Sequence, residues 1–292
     1  MNEVLLLAPV PPGLRDALAA RYSVLTEAAD PARIVAAITT SVVGADAAAM
    51  AKLPALRVLG CMGVGLDRID VDEAARRGIA VRHTPDAVRT DTADTAVALL
   101  YATVRRVVEA DRFVRGGHWA RGRMTPSRRV TGMRAGVVGL GVIGAMVAQR
   151  LTGLGLEVAY HGPRQKPVAW RFELDLGALA AWCDVLVLCC PGGEATRGLV
   201  SAEVLRRLGP AGYLVNVARG SVVDEAALLD ALETGAIAGA GLDVFAEEPG
   251  VDPRFLPLET AVLTPHSAAV TLESRDEVTA TLLAAMAECF AG

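Results

Sequence analysis

The residue pattern with the clearest chemical meaning is a G-x-G-x-x-G turn formed by Gly139, Gly141 and Gly144. The apolar run Ala135–Val138 precedes the turn, and the helical pattern Ala145–Thr152 follows it. This order of strand, turn and helix is the setting in which such a turn binds a dinucleotide. The first glycine allows the tight turn, the second lets the backbone approach the pyrophosphate, and the third lets the helix pack closely on the strand.

The start of the following helix supports the same interpretation. The N–H groups in the first turn of a helix have no intrahelical acceptor, and Val142 and Ile143 lie at this position. Together with the partial positive charge of the helix end, these N–H groups would face the phosphates of the cofactor. The competing hypothesis is a glycine turn in an α/β domain that binds no ligand.

The segment after the next apolar run bears on which dinucleotide is bound. An NAD site usually has Asp or Glu about 20 residues past the glycines, where it accepts a hydrogen bond from the ribose 2′-hydroxyl. Here His161 and Gly162 are followed by Arg164 and Lys166, and no carboxylate is present. Two cations would attract a 2′-phosphate. We therefore expect NADP(H) to be preferred, with NAD(H) as the alternative cofactor, and His161 to lie near the adenosine ribose. The competing hypothesis is an ordinary solvated basic loop.

Length and composition limit the fold and the partners. The 292 residues correspond to about two domains at roughly 100–200 residues each. A hydrophobic fraction of 52% and a charged fraction of 21% are typical of a globular chain with a sizeable core. The formal net charge of −4 argues against a nucleic-acid partner. No apolar stretch is long enough to span a bilayer, so we expect no membrane association.

Cysteine and histidine usage bears on compartment and metal. The five cysteines are odd in number and form no C-x-x-C pair, which favours free thiols in a reducing cytoplasm. The four histidines show no H-x-x-x-H spacing, so we expect no metal site. The first residues lack the basic segment of a signal peptide and read as a strand.

Apolar runs alternate with helical patterns, which predicts an α/β fold with parallel sheets. The first block has candidate strands at Val4–Ala8, Leu56–Cys61 and Ile79–His83. The second block has candidate strands at Ala135–Gly139, Glu157–His161, Val185–Cys190, Tyr213–Val217, Gly239–Val244 and Ala261–Thr264. Nearly continuous apolar runs are expected of strands covered on both faces.

Three helical patterns complete the predicted elements. Leu14–Ala20 and Leu272–Phe290 have helical spacing near the two ends of the chain. Between the blocks, the pattern predicts one long helix from about Asp91 to Arg115, because no proline or glycine interrupts it. The polar segment Arg121–Arg134 contains a proline and reads as a connecting loop.

Four further segments resemble a known family. They are Met62–Asp67, Asn216–Gly220, Gly241–Pro249 and Thr264–Ala268. In order and spacing they resemble the D-isomer-specific 2-hydroxyacid dehydrogenases over essentially the whole chain. Within that family the set looks most like the NADPH-dependent glyoxylate/hydroxypyruvate reductases.

The resemblance implies a role for each polar residue in these segments. Arg219 would bind the substrate carboxylate and polarise the 2-keto oxygen, and His266 would donate a proton to that oxygen. Glu248 would hydrogen-bond His266, orient it and favour its protonated form. Asp243 would hold the nicotinamide carboxamide. A fixed guanidinium and a protonated histidine are the donors that a developing alkoxide needs.

The resemblance also implies contacts made by less reactive residues. Met62 and Gly63 would form the substrate loop, in which the N–H groups of Val64 and Gly65 hold the substrate carboxylate. Apart from the resemblance, Cys190 lies at the end of a buried strand, so we expect its side chain to pack in the core and Cys190 and Pro191 to contact the cofactor through the backbone. Ala218 is a further expected cofactor contact.

Two departures from related enzymes concern the substrate. Ala269 stands where hydroxypyruvate reductases of this type often carry a serine that contacts substrate. Before the substrate loop, Cys61 stands without the phosphate-binding arginine of phosphoglycerate dehydrogenases. These residues leave the identity of the 2-keto acid open and disfavour a phosphorylated substrate.

The family's architecture implies two Rossmann-like, doubly wound parallel-sheet domains with the active site in the interdomain cleft. Residues 1–92 and 268–292 would form the substrate domain, and residues 93–267 the dinucleotide-binding domain. The family usually forms homodimers through the cofactor domain and the long helix.

Three functional hypotheses stand at this point. The first is NADPH-dependent reduction of glyoxylate, hydroxypyruvate or a similar small 2-keto acid to the 2-hydroxy acid. The second is an NAD-dependent D-2-hydroxyacid dehydrogenase with another substrate. The third is a non-catalytic, dinucleotide-sensing protein like the co-repressors that share this fold, and turnover would distinguish it from the enzymes.

Overall fold

The computed structural model describes residues 2–291, which divide into two compact units. One unit runs up to Arg89 and resumes at Ala269, and the other is Thr90–Ala268. Each unit is built on a parallel sheet with helices on both faces. The prediction of two parallel-sheet α/β units is therefore confirmed.

The discontinuous unit has a five-stranded parallel sheet. Its strands are β1 (Glu3–Leu6), β2 (Ser23–Leu25), β3 (Ala36–Thr40), β4 (Val58–Met62) and β5 (Ala80–His83). Their order across the sheet is β2-β1-β3-β4-β5. The helices between them are α1 (Pro12–Ala19), α2 (Ala47–Ala51) and α3 (Val71–Arg76). Asp46 and Asp70 cap α2 and α3 by accepting hydrogen bonds from backbone N–H groups in the first turn of each helix.

The segment between the two sheets is helical but not one helix. The predicted helix Asp91–Arg115 is wrong in this respect, because α4 (Asp86–Val104) and α5 (Val107–Arg115) are separate. Arg106 lies between them with a left-handed φ of 53°, and its guanidinium pairs with Glu109. This single backbone reversal ends α4 without a proline or glycine to mark it.

The second unit has a seven-stranded parallel sheet. Its strands are β6 (Arg134–Val138), β7 (Glu157–His161), β8 (Arg171–Phe172), β9 (Val185–Leu188), β10 (Tyr213–Asn216), β11 (Gly239–Leu242) and β12 (Ala261–Leu263). The order is β12-β11-β10-β9-β6-β7-β8. Its further helices are α6 (Val142–Gly153), α7 (Leu176–Trp182), α8 (Ala202–Leu208) and α9 (Glu225–Glu233). Residues of α4 and α6 fill the core on one face of the sheet, and residues of α7, α8 and α9 fill it on the other.

The last helix, α10 (Leu272–Ala291), returns to the first sheet. It packs closely on β4, where a Cβ added to Gly60 would lie 3.0 Å from Leu282 Cδ2. The return of the chain end explains why the first unit is discontinuous in sequence.

All strands predicted from apolar runs are present, with ends within two residues of the prediction. Strands β2, β3 and β8 were not predicted. All five residues of β3 are buried, but its two alanines do not stand out in an alanine-rich chain. Strand β8 has only two residues, too few to form a pattern.

The topology of the second sheet determines where its loops meet. Strands that follow β6 in the chain lie on one side of it as β7 and β8, and on the other side as β9 to β12. The chain order therefore reverses between β6 and β9. In an open parallel sheet, ligands bind outside the carboxyl ends of the strands at such a reversal.

Candidate active site

The predicted cofactor and catalytic residues of the second unit follow the carboxyl ends of its strands. The glycine turn follows β6, and His161–Lys166 closes and follows β7. Cys190 follows β9, Arg219 follows β10, and the Asp243 and His266 segments follow β11 and β12. Because all seven strands are parallel, these segments share one edge of the sheet.

The glycine turn has the geometry that its sequence predicts. Gly139 has a φ of +89°, and an added Cβ would lie 2.6 Å from Cys190 Cα on the neighbouring strand end. A Cβ on Gly144 would lie 2.0 Å from Gly139 O, so the third glycine lets α6 start against the turn. Nothing lies within 4 Å of a Cβ placed on Gly141, which leaves space above its backbone.

The beginning of α6 offers donors to an anion. Gly141 is the N-cap and supplies no side-chain hydrogen bond. The N–H groups of Val142, Ile143 and Gly144 lie in the first turn, where a helix provides no acceptor. Unclaimed donors beside an open glycine backbone fit the pyrophosphate of a dinucleotide.

The loop after β7 carries the two predicted cations in different settings. Arg164 is exposed. The Lys166 Nζ donates a hydrogen bond to Leu140 O in the glycine turn at 2.5 Å. His161 Nδ1 lies 3.2 Å from Glu173 O, so this ring is tethered to the chain at the edge of the sheet. Gly162 is buried, and an added Cβ would meet nothing within 4 Å.

The end of β9 forms the neighbouring wall of the glycine turn. Cys190 is buried, and this burial raises the pKa of its thiol to about 11. Pro191 is exposed, and its carbonyl accepts a hydrogen bond from Thr196 Oγ1 at 2.7 Å. A neutral thiol whose backbone touches the turn agrees with a packing role for the Cys190 side chain.

The turn after β10 is shaped by a buried asparagine. Asn216 Oδ1 accepts from the Ala218 N–H at 3.0 Å, and Asn216 Nδ2 donates to Arg219 O at 3.0 Å. The Arg219 guanidinium in turn donates to Ala218 O through Nη1 at 2.7 Å. The buried Asn216 thus fixes the backbone that carries Arg219.

The same turn makes a close backbone approach to the segment after β11. A Cβ on Gly220 would lie 1.9 Å from the carbonyl carbon and oxygen of Phe245. Only glycine fits at this contact. The glycine at position 220 therefore admits the backbone that leads to Glu248.

The His266 ring is paired with Glu248. Nδ1 lies 2.6 Å from Glu248 Oε2, and the other carboxylate oxygen accepts from the Phe245 N–H at 2.9 Å. Because a carboxylate only accepts, we assign the proton of this bond to Nδ1. Nε2 is then the atom left to act on a substrate. The prediction that Glu248 pairs with His266 agrees with this geometry.

The electrostatics of Glu248 balance burial against its partners. Burial raises the pKa of the Glu248 carboxyl, whereas the His266 hydrogen bond, the Phe245 N–H and the Arg219 charge lower it. The partners outweigh burial, so the pKa lies below its ordinary value of 4.5. Glu248 is therefore an ionised hydrogen-bond acceptor near neutral pH.

Asp243 anchors the turn that carries His266. Its Oδ1 accepts from Thr264 Oγ1 at 2.6 Å and from the Ser267 N–H at 2.9 Å, and its Oδ2 accepts from the Ala268 N–H at 3.0 Å. The residue is 1% exposed. The Asp243 carbonyl also accepts from the His266 N–H at 2.8 Å, where His266 has a φ of 50°. A carboxylate can accept about four hydrogen bonds, and the Asp243 side chain accepts three here. That it also binds the nicotinamide carboxamide remains a prediction.

The predicted substrate loop lies in the discontinuous unit, after β4. Gly63 has a φ of +121°, and its N–H donates to Thr84 Oγ1 at 2.9 Å. His83 Nδ1 lies 3.0 Å from Val64 O. Within residues 2–291, the N–H groups of Val64 and Gly65 have no protein acceptor. These two amides are the ones expected to bind a carboxylate, and Thr84 and His83 hold the loop around them.

The sequence motifs indicated the candidate reacting groups but not the residues that support them. Thr84, Asn216 and Thr264 each fix a predicted site residue through a side-chain hydrogen bond, as described above. Only their position beside a motif could have indicated them. Glu247, the neighbour of Glu248, is exposed.

Neither a metal centre nor a membrane-spanning helix occurs within residues 2–291. Across residues 2–291, no group of three or more histidine, cysteine, aspartate or glutamate side chains is placed to hold a metal ion. In the same part of the chain, no helix combines the length and apolar character needed to cross a bilayer.

Known proteins are similar to this chain in both sequence and fold. The model of the family described as D-isomer specific 2-hydroxyacid dehydrogenase, NAD binding domain, matches residues 97–268. A 2-ketogluconate reductase of Gluconobacter oxydans (strain 621H) is 46% identical over 233 residues, which cover 80% of this chain and 75% of that protein. Glyoxylate/hydroxypyruvate reductase A of Arabidopsis thaliana is 36% identical over 284 residues, which cover 94% and 91%.

A solved structure agrees over nearly the whole chain. It is the NADPH-dependent glyoxylate/hydroxypyruvate reductase of Sinorhizobium meliloti in complex with NADP and malonate. Its TM-score is 0.89 at 34% sequence identity, and the match covers 96% of this chain and 90% of that one. From the family match, the relatives and the shared fold, we conclude that the chain belongs to the D-isomer-specific 2-hydroxyacid dehydrogenase family and is an NAD(P)-dependent oxidoreductase.

Proposed function

We propose that this enzyme reduces a small 2-keto acid, such as glyoxylate or hydroxypyruvate, to the 2-hydroxy acid and prefers NADPH. The observation that carries the proposal is the 2.6 Å bond from His266 Nδ1 to Glu248, with the Arg219 charge acting on the same carboxylate. This arrangement provides a proton donor and a fixed cation at one sheet edge.

Each protein group then has a chemical task. Arg219 binds the substrate carboxylate and polarises the keto oxygen, and it keeps its proton throughout because guanidinium is a very weak acid. His266 donates the Nε2 proton to the oxygen as it becomes an alkoxide. Glu248 stabilises the charged ring before transfer and holds it in one orientation. Charge that develops on the oxygen is thus met by donors already in place.

The residues at the sheet edge suit a dinucleotide. The open backbone at Gly141 and the uncapped start of α6 would hold the pyrophosphate, and the cationic loop at Arg164 and Lys166 would attract a 2′-phosphate. When bound, the nicotinamide supplies the hydride that reduces the keto carbon. Preference for NADPH rests on the positive charge of this loop, above all on the exposed Arg164, and on the missing carboxylate. The relative from Sinorhizobium meliloti is itself described as NADPH-dependent.

The loop at Met62–Gly65 is proposed to bind the substrate carboxylate. The amides of Val64 and Gly65 supply two donors without side chains, and Gly63 lets the chain turn sharply before them. Ala269 stands where a serine would offer a further donor to hydroxypyruvate. Its methyl group supports substrates that do not need this donor, and glyoxylate is the smallest of them.

We further propose that the enzyme works as a homodimer. None of the residues of α5 is buried. Three apolar side chains in this segment are more than half exposed: Val107 (52%), Val114 (53%) and, beyond the helix, Trp119 (68%). Apolar side chains gathered on one exposed segment are typical of a protein interface. A second copy would cover them.

We assign the enzyme to a reducing compartment, the cytoplasm. All five cysteines are free, and burial raises the pKa of several of them, including that of Cys183 to about 12. Thiols kept neutral and unpaired agree with this location.

The proposal is tested by initial rates of NADPH and NADH oxidation with glyoxylate, hydroxypyruvate, pyruvate and phenylpyruvate in parallel. We expect the highest kcat/KM with NADPH and either glyoxylate or hydroxypyruvate. Faster turnover with NADH would contradict the cofactor assignment and leave the catalytic residues standing. Tight cofactor binding without turnover of any substrate would favour a sensor.

A further inference from the structure

We infer that Lys166 is a positioning residue that orients the Gly141 amide in the glycine turn, whereas Arg164 alone recognises the 2′-phosphate. The inference rests on the proposed function, because it assumes that the glycine turn binds a dinucleotide. The sequence predicts the same role for Arg164 and Lys166, and this inference gives them different roles.

The ammonium of Lys166 is bound to the turn itself. Its Nζ donates to Leu140 O at 2.5 Å, and Leu140 is only 5% exposed between two glycines of the motif. A hydrogen bond from an ammonium to a carbonyl is charge-assisted and stronger than a neutral one. Lys166 thus fastens the loop after β7 to the turn after β6.

The backbone of Lys166 is held as firmly as its side chain. The Lys166 N–H donates to Tyr160 Oη at 2.7 Å, and Tyr160 Oη donates to Lys166 O at 3.4 Å. Tyr160 is 1% exposed, and its ring packs on Phe172 with the centroids 5.3 Å apart. The Tyr160 hydroxyl thus binds the backbone of Lys166 and closes the loop between them. This leaves the Lys166 ammonium little freedom of position.

The carbonyl that Lys166 holds belongs to the same peptide group as the Gly141 N–H. In a planar trans peptide the C=O and the N–H point in opposite directions. Fixing Leu140 O toward Lys166 therefore fixes the Gly141 N–H on the opposite side. This N–H has no acceptor within residues 2–291, and the space above Gly141 is open. Glycine alone would leave this peptide free to rotate.

Arg164 is placed differently. It is exposed, and within the described residues 2–291 its guanidinium has no hydrogen-bond or ion-pair partner. Its donors are available in the fork geometry that suits a phosphate. The pyrophosphate is common to both cofactors, and the 2′-phosphate is present only in NADPH. Lys166 should therefore act on both cofactors, and Arg164 on NADPH alone.

The test compares dissociation constants of NADPH and NADH for the full-length enzyme and three variants. Lys166→Met keeps the aliphatic stem and removes the ammonium, and we expect both cofactors to bind about tenfold more weakly, the loss of one charge-assisted bond. Lys166→Arg restores a donor and should recover most of this loss for both. Arg164→Met should weaken NADPH about tenfold or more and change NADH by less than about twofold.

The outcomes separate the inference from the proposed function. If Lys166→Met weakens NADPH only, Lys166 is a direct phosphate ligand and the inference fails. If it weakens neither cofactor, the inference also fails. If the wild-type enzyme prefers NADH but Lys166→Met still weakens both, the proposed cofactor preference fails and the positioning role stands. Tyr160→Phe, which removes only the second fastening, should weaken both cofactors by a smaller factor than Lys166→Met.

Discussion

At the residue scale, the proposed chemistry depends on the hydrogen bond between Glu248 and His266 and on the charges around it. The Glu248 carboxylate accepts from both His266 Nδ1 and the Phe245 N–H, so it is fixed at two points before it orients the imidazole. Its side chain is 16% exposed, whereas that of His266 is 30% exposed. The Glu248 carboxylate is thus more shielded from solvent than the imidazole that we propose as the proton donor.

The lowered pKa of Glu248 makes a pH-dependent contribution to stability. Because the pKa is depressed in the folded protein, the carboxylate stabilises the fold above its ordinary value of 4.5, and this contribution is lost as the pH falls through the folded value. We expect the wild-type advantage in unfolding free energy over Glu248→Gln to shrink as the pH is lowered below 4.5. Denaturant unfolding at a series of pH values measures it.

The matched control for this prediction is Glu247→Gln. It removes the neighbouring carboxylate, whose side chain is exposed. An advantage over Glu248→Gln that stays constant across the acid range would contradict the assignment. So would an equal pH dependence in the two variants.

At the element scale, the loops that follow the parallel strands position the candidate site residues. Hydrogen bonds within and between these loops fix where each side chain lies. Asp243 gathers three donors from the turn after β12, which holds His266 in a left-handed conformation. Gly220 lets the turn after β10 pass against the backbone at Phe245. The turn after β10 and the segment after β11 are thereby held together at the carboxyl edge of the sheet.

Asp243→Asn tests the anchoring of this turn. An amide nitrogen cannot accept, so at least one buried donor from the turn loses its partner, which costs about 1–3 kcal/mol. We expect a lower melting temperature and a lower kcat, because His266 loses its fixed backbone. Thermal unfolding and steady-state rates measure the two effects.

Asp224→Asn is the matched control, since Asp224 caps α9 through the Ala227 N–H and asparagine caps a helix equally well. It should leave kcat unchanged. If Asp243→Asn behaves in the same way, the carboxylate does not anchor the turn.

Sequence patterns predicted the elements well where apolar runs were long. They predicted the glycine turn and the strand ends around it because a positive φ and close packing require glycine at fixed positions. They failed between α4 and α5, where a left-handed Arg106 ends the helix and no residue type signals it. They also missed the bond from Lys166 to Leu140, since a spacing of 26 residues has no pattern before the strands are placed.

At the scale of the whole molecule, two parallel-sheet units carry different parts of the proposed site. The continuous unit carries the glycine turn, Arg219, Glu248 and His266. The discontinuous unit carries the loop Met62–Gly65, where the Val64 and Gly65 amides have no protein acceptor among residues 2–291. Sequence indicated this division through the resemblance, because the family motifs fall in both blocks. The supporting residues required coordinates, since the bond from Gly63 to Thr84 joins residues 21 positions apart and the bonds of Asn216 depend on the exact course of its turn.

The exposed apolar side chains at α5 predict that the protein is a dimer in solution. Light scattering should give a mass near twice the 30.4 kDa of one chain. We expect Val114→Glu to shift the mass toward one chain, because a charge would be buried in the interface. Leu174→Glu changes a side chain that is 69% exposed elsewhere and should leave the mass unchanged. A wild-type protein with the mass of one chain would contradict the dimer.

The most direct test of the account is the rate of His266→Asn under saturating cofactor and substrate, compared with its cofactor affinity. Asparagine keeps a polar side chain but cannot donate a proton as an imidazolium does. We predict that kcat falls by on the order of 10²–10⁴ while the cofactor dissociation constant changes by less than about twofold. His118→Asn, at an exposed histidine, should retain the wild-type rate. A His266→Asn enzyme that turns over at the wild-type rate would contradict the account.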